Sequence, residues 1–123
     1  MRILNRVTGS LLCENVTVAD TFLSRLKGLL GRKELKQGEG LLLPRCSAVH
    51  TMFMSIPIDV IFFLETGEVL AIHEHLGPWK LASCGVHAAS ALELPAGVIC
   101  RSQTVNGHFL DVFAEKQESK SFG

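Results

Sequence analysis

The chain of 123 residues lacks an excess of either charge, since 12 lysines and arginines balance 12 acidic residues. This balance argues against binding nucleic acid or an anionic membrane through overall charge. The longest apolar run, residues 60–64, is far too short to span a bilayer. No apolar stretch typical of a secretory signal follows the first charged residues. We therefore predict a cytoplasmic protein with neither a nucleic-acid nor a membrane partner.

The sequence also contains no CxxC pair, and its four cysteines are widely spaced. In a reducing compartment, cysteines with such spacing are more often free thiols than disulfides. We therefore predict four free thiols. They are Cys13, Cys46, Cys84 and Cys100.

Cysteine and histidine do come close together in the sequence at two places. Cys46 with His50 and Cys84 with His87 would supply four ligands to a tetrahedral zinc ion. On an extended strand, however, the Cys46 and His50 side chains would stand about 13 Å apart, too far for one ion. We therefore predict no metal and no other cofactor, and keep a zinc-binding protein as an alternative.

What the chain does contain is apolar residues, at 47% of the sequence, with a mean hydropathy of +0.30. This composition predicts a generous core and some apolar surface shared with a partner, which a homo-oligomer would also provide. No repeat or low-complexity segment divides the chain. We predict one domain over residues 1–114 and a flexible polar tail over residues 115–123.

One segment has clear helical periodicity. Phe22, Leu26, Leu29 and Leu30 recur at the spacing of one buried helix face, and Gly31 is placed to end the helix. We predict one principal helix near residues 21–31. The other apolar segments are short and predict strands at 11–19, 41–43, 48–54, 58–64, 69–76, 88–94 and 108–113. The fold class is therefore α+β, a compact mostly-β single domain built as a small barrel or a layered sheet.

An acidic residue, Asp59, opens the otherwise apolar strand 58–64. A two-residue turn at Thr66 and Gly67 would place Asp59 opposite Glu74, and the two carboxyls could act as an acid/base pair. A bulge that shifts the register by one residue would place Asp59 opposite His75, whose ring it could orient. A structural role is the simpler interpretation, in which backbone N–H groups donate to Asp59.

Six segments follow one another along the chain: Asp20 followed by RLKGLLGR (25–32), then GLL (40–42), MFM (52–54), PIDVIFF (57–63), GEV (67–69) and LELPAG (92–97). In this order they resemble the DUF192 (UPF0127) family. The resemblance covers residues 11–113 and implies a compact mostly-β domain, but it implies no established activity. Ser55 and Ile56 replace a Lys-Asn pair that many members carry, so no role of that pair is carried over.

No complete set of catalytic residues is evident, so the catalytic residues stay unassigned. We predict a small binding or accessory module with a pocket near His50, Asp59 and Trp79 that recognises a small ligand or a peptide segment. The alternative is a small hydrolase or transferase that uses Asp59 with a histidine as acid and base. The candidate binding residues are His50, Thr51, Asp59, Glu74, His75 and Trp79.

Overall fold

The computed structural model describes residues 1–19, 35–51 and 54–114. The helix predicted near residues 21–31 and the tail predicted at 115–123 lie outside these ranges. The described residues form ten strands and one short helix. They are β1 (Arg2–Asn5), β2 (Leu11–Cys13), β3 (Asn15–Val18), β4 (Glu39–Leu43), β5 (Ala48–His50), β6 (Ile58–Phe63), β7 (Val69–Leu76), β8 (Leu81–Ser83), β9 (Ser90–Pro95), α1 (Val98–Ser102) and β10 (Leu110–Phe113).

The strands form three sheets. The central sheet has the order β3-β4-β9-β6-β7, with β3 parallel to β4 and the other neighbours antiparallel. A three-stranded sheet has the order β10-β1-β2, and β5 pairs with β8 alone. None of the described strand pairings closes a sheet into a barrel. The mostly-β prediction is confirmed in its layered form.

Every residue of β6 is buried. Because successive side chains of a strand point to opposite faces, the central sheet is covered on both faces at β6. Val60 and Phe62 of β6 belong to one apolar cluster, together with Val49 of β5 and Ala82 of β8. We call this side the upper face. Ile61 and Phe63 belong to the other cluster, which α1 and the three-stranded sheet complete; we call this side the lower face.

The strand predictions hold best for the central hairpin, where β7 has the predicted bounds and β6 ends one residue early. The predicted strand 11–19 is divided at Glu14 into β2 and β3. The predicted strand 48–54 ends at His50, because Thr51 bonds to a loop instead. β1 and β8 were not predicted.

All four cysteines are free thiols, as predicted. Burial raises the pKa of the Cys13 thiol to about 11, so this thiol stays protonated at neutral pH. Nowhere in the described residues do three or more His, Cys, Asp or Glu side chains assemble as a metal site. The helix in those ranges is too short to cross a bilayer.

Candidate functional site

A β-bulge lies opposite Asp59 in the central hairpin. Ile61 pairs with Ile72, in the register that the turn predicts. The pairing then shifts by one residue between Val60 and Ile58, where Val60 lies opposite His73 and Ile58 opposite Leu76. Glu74 and His75 therefore both oppose Asp59, so the bulged register is the observed one and a regular Asp59–Glu74 pair does not form.

Asp59 is fully buried, and backbone N–H groups take up both of its carboxyl oxygens. Oδ1 accepts from His75 N–H at 2.9 Å. Oδ2 accepts from Gly97 N–H at 3.0 Å and from Ile99 N–H at 2.9 Å. Asp59 thus joins the bulge of β7 to the start of α1. The expected contact with the His75 ring is replaced by one with its backbone, and no histidine side chain in the described residues hydrogen-bonds to Asp59.

Thr51 holds the loop that follows β7, which we call the Trp79 loop (residues 77–80). Its buried hydroxyl donates to the Gly77 carbonyl at 2.5 Å and accepts from Lys80 N–H at 2.9 Å. Its backbone N–H donates to the Lys80 carbonyl at 2.9 Å, and its carbonyl accepts from Trp79 N–H at 3.0 Å. One buried residue therefore sets the conformation of the whole loop.

The loop presents a large side chain to solvent. Trp79 is 68% exposed, and its φ of 63° places its backbone in the left-handed region, which is uncommon for a residue with a side chain. Leu81, the first residue of β8, is 73% exposed and pairs with His50 of β5. Two large apolar side chains therefore flank Lys80, itself exposed.

The six predicted binding residues fall into two linked groups. His50 and Thr51 lie beside the Trp79 loop, whereas Glu74 and His75 are the exposed bulge residues through which β7 approaches it. His75 also has a positive φ, of 51°. Asp59 is buried beneath the bulge and contributes anchorage rather than an exposed contact.

Sequence reasoning assigned no role to Glu93, a second buried acid. It lies in β9, paired with Leu41 of β4 on one side and Val60 of β6 on the other, and is 2% exposed. Among the described residues its Oε2 has no hydrogen-bond partner, and burial raises the pKa of the carboxyl to about 7. The available signal was an acid between two leucines in an apolar strand.

A histidine lies in the same row of the sheet. His73 pairs with Val60 from the side opposite Glu93, and its Nε2 is likewise buried with no hydrogen-bond partner in the described part of the chain. Its ring meets that of Phe62 edge-on, with 5.8 Å between ring centroids. On β5, the Nδ1 of His50 is also buried and has no hydrogen-bond partner among the described residues. Of these three side chains, Glu93 and His73 share the row of Val60 on the upper face.

Two solved structures have a fold similar to that of this chain. The chain is similar to a protein from Sinorhizobium meliloti 1021, named as a candidate transcription regulator. The two structures superpose with a TM-score of 0.74 at 24% sequence identity, and the match covers 89% of each chain. It is also similar to a protein of unknown function from Novosphingobium aromaticivorans. There the TM-score is 0.68 at 20% identity, covering 91% of this chain and 93% of that one. At such identities the likeness concerns the fold alone.

Comparison of sequences identifies the family. A UPF0127 protein from Thermococcus sibiricus is 30% identical over 121 residues, which are 95% of this chain and 78% of that protein. A UPF0127 protein from Thermococcus kodakarensis is 28% identical over 123 residues, with 97% and 78% covered. Residues 3–112 match the model of DUF192, described as "Uncharacterized ACR, COG1430". The resemblance predicted from the motifs is confirmed, and the chain belongs to the DUF192 (UPF0127) family.

Proposed function

We propose that this protein is a binding module that recognises a segment of a partner protein through the Trp79 loop. The observation that carries the proposal is an exposed tryptophan on a left-handed backbone that a buried threonine holds in place. Such a conformation costs on the order of 1–3 kcal/mol and persists only where the surroundings enforce it, which is typical of binding segments. A loop fixed before binding also loses less entropy when the partner arrives.

The chemistry of the loop favours a partner segment that is both apolar and acidic. Trp79 and Leu81 offer two exposed apolar contacts, and tryptophan is among the residues that most often dominate binding energy. Between them, Lys80 forms no ion pair with the described residues, so its charge is available to a carboxylate. An acidic residue between two apolar ones would complement all three side chains.

Two further features support this assignment. Asp59, the acid on which the alternative enzymatic function depends, is occupied by three backbone donors. The four free thiols are consistent with a reducing compartment, which supports the proposal that the interaction takes place in the cytoplasm.

Trp79 is the only tryptophan of the chain, so its fluorescence reports directly on the loop. The test titrates the protein with short peptides in which leucines flank a glutamate, and with matched peptides in which lysine replaces the glutamate. We expect a saturable blue shift of Trp79 emission with the acidic peptides only. Anisotropy of labelled peptides should show at least a roughly tenfold loss of affinity in Trp79→Ala and in Lys80→Glu.

The matched control is Val7→Ala, since Val7 is also largely exposed but lies in the turn between β1 and β2. Equal binding of acidic and lysine-containing peptides, or binding unchanged in Trp79→Ala, would overturn the proposal. So would a concentration-dependent dimer that Trp79→Ala abolishes, because the loop would then be covered by a second copy of the chain.

A further inference from the structure

The outer face of the three-stranded sheet is a second exposed surface, built without any residue of the Trp79 loop. Ile3 and Asn5 of β1 are buried, so alternation along the chain turns Arg2, Leu4 and Arg6 outward. Residues paired directly with them share this face. We call it the arginine face, and its residues are Arg2, Leu4, Arg6, Leu11, Phe109, Asp111 and Phe113.

Two arginines of this face each lie over a phenylalanine ring. Cζ of Arg2 is 5.6 Å from the ring centroid of Phe113, and Cζ of Arg6 is 5.3 Å from that of Phe109. The two rings are four residues apart on one extended segment, which separates the two pairs by about 13 Å. Phe113 is 44% exposed, and the Arg6 side chain is 55% exposed. A planar guanidinium held over a ring keeps its opposite face and part of its N–H edge for a partner.

The arginine face is positive although the chain as a whole is neutral. Arg6 donates to Asp111 at 2.7 Å, whereas Arg2 forms no ion pair with the described residues. Arg101 of α1 is also exposed and donates to the Leu11 carbonyl at 3.3 Å, so it borders the face along β2. Three guanidiniums thus stand beside one carboxylate. The overall charge balance, from which the sequence predicts no nucleic-acid partner, does not reveal this local excess.

We propose that the arginine face binds a single-stranded nucleic acid, with its phosphates at the arginines and its bases stacked on the two arginine–phenylalanine pairs. Arginine binds phosphate through two N–H groups at once, and its planar group also stacks on bases. Aromatic side chains stack on unpaired bases whatever their sequence. An acidic peptide would complement the charges but offers no base to stack, and the bases of a duplex are already stacked within it. The combination of rings and arginines on one open sheet face therefore favours a single strand.

The test titrates the full chain with labelled single-stranded RNA dodecamers of uridylate or adenylate, followed by fluorescence anisotropy. A GC-rich duplex and an oligoglutamate peptide of the same length are the matched probes. We expect saturable binding of both single strands, and affinity for the two matched probes that is weaker by roughly tenfold or more. The affinity for RNA should fall as salt rises, with a logarithmic slope of about −0.7 for each phosphate contacted.

Variants of the face should change the affinity in both directions. Arg2→Ala and Phe113→Leu should each weaken RNA binding by roughly tenfold, whereas Phe113→Tyr keeps a ring and should bind like the parent. Asp111→Asn removes the one carboxylate of the face and should tighten binding severalfold. The matched control is Arg45→Ala, since Arg45 is also exposed but lies just before β5.

Thermal melting of each variant checks that it is folded. Trp79→Ala should bind RNA normally, which separates this face from the Trp79 loop. No saturable binding of either single strand at low salt, equal affinity for the duplex or for oligoglutamate, or unchanged affinity in Arg2→Ala and Phe113→Leu would overturn the proposal. An equal loss in Arg45→Ala would do the same, because binding would then follow the total charge rather than this face.

Discussion

Two buried acids on neighbouring strands, Asp59 and Glu93, differ in almost everything except burial. In the β6–β9 pairing they occupy successive rows, Asp59 opposite Leu94 and Glu93 opposite Val60, so they point to opposite faces. Three backbone N–H groups donate to Asp59, whereas no group in the ranges 1–19, 35–51 and 54–114 donates to Oε2 of Glu93. Burial alone therefore says little about the role of a carboxyl; the donors around it decide.

The reason for the difference lies in the local backbone. Asp59 lies beside a bulge and near the first turn of α1, two places where backbone N–H groups are not used by a sheet or a helix. Glu93 lies in the middle of β9, which is paired with β4 on one edge and β6 on the other. The backbone around it is engaged in the sheet, so a donor to it would have to be a side chain, a water molecule or a ligand.

The comparison predicts that loss of the Asp59 carboxyl has the largest effect. Asp59→Ala would leave the N–H groups of His75, Gly97 and Ile99 without their acceptor. Each buried orphan costs about 1–3 kcal/mol, against a total stability of roughly 5–15 kcal/mol for a typical domain. We expect most of the protein to be unfolded or close to it, as measured by urea denaturation followed by circular dichroism.

Should Asp59→Ala not fold at all, Asp59→Asn retains the shape and one acceptor oxygen and should be destabilised less. Melting of both variants at the temperature of the parent would contradict a structural role for Asp59.

At neutral and alkaline pH, Glu93→Gln should raise the stability of the protein, whereas Asp59→Ala should lower it. The pKa of Glu93 is raised from 4.5 to about 7, so the folded state keeps a proton that the unfolded state has already released. Parent stability should therefore fall as pH rises from about 4.5 and level off above pH 7, a loss of roughly 3 kcal/mol. The variant lacks this titration and should be the more stable protein at pH 8.

Urea denaturation of both proteins at pH 5 and pH 8 checks this expectation, with Glu65→Gln as the control for loss of an exposed carboxyl. If the parent and Glu93→Gln lose stability equally between the two pH values, the charge of the Glu93 carboxylate is already compensated in the folded state.

Thr51→Val should have the smallest effect on stability of the three changes. It extends the comparison from the two acids to a third buried polar group, the hydroxyl of Thr51. The valine keeps the shape of threonine but removes the hydroxyl that bonds to Gly77 and Lys80. We expect a loss of about 1–3 kcal/mol and faster proteolysis of the Trp79 loop. Thr51→Ser keeps the hydroxyl and should resemble the parent; equal proteolysis of all three proteins would contradict the role of this bond.

The central hairpin shows how much of the fold could be predicted from the sequence. β6 and β7 are long, apolar and separated by a Gly-containing turn, so their bounds and the Ile61–Ile72 pairing follow from local pattern. β8 is a strand of three residues, too short to show an alternation, and its extended state depends on pairing with β5. Strands of that kind are decided by contacts distant in sequence.

The candidate site divides in the same way. That Asp59 is an unusual residue follows from its apolar neighbours alone, and the loop position of Trp79 follows from the preceding Gly77 and Pro78. Glu93 has the same apolar neighbours, but the sequence does not show that its strand is paired on both edges. Its link to His73, 20 residues earlier, comes only from the position of β6 between β7 and β9.

The amino-acid sequence by itself determined the family, the mostly-β class and the presence of an acid inside an apolar strand. These properties reside in composition, alternation and the order of short motifs, which act over a few neighbouring residues. The tertiary structure alone decided that the sheets stack without closing, that one acid is satisfied and the other is not, and that Thr51 holds the Trp79 loop. Those outcomes depend on which backbone N–H groups remain unpaired after the strands have assembled, and strand assembly joins residues far apart in the chain.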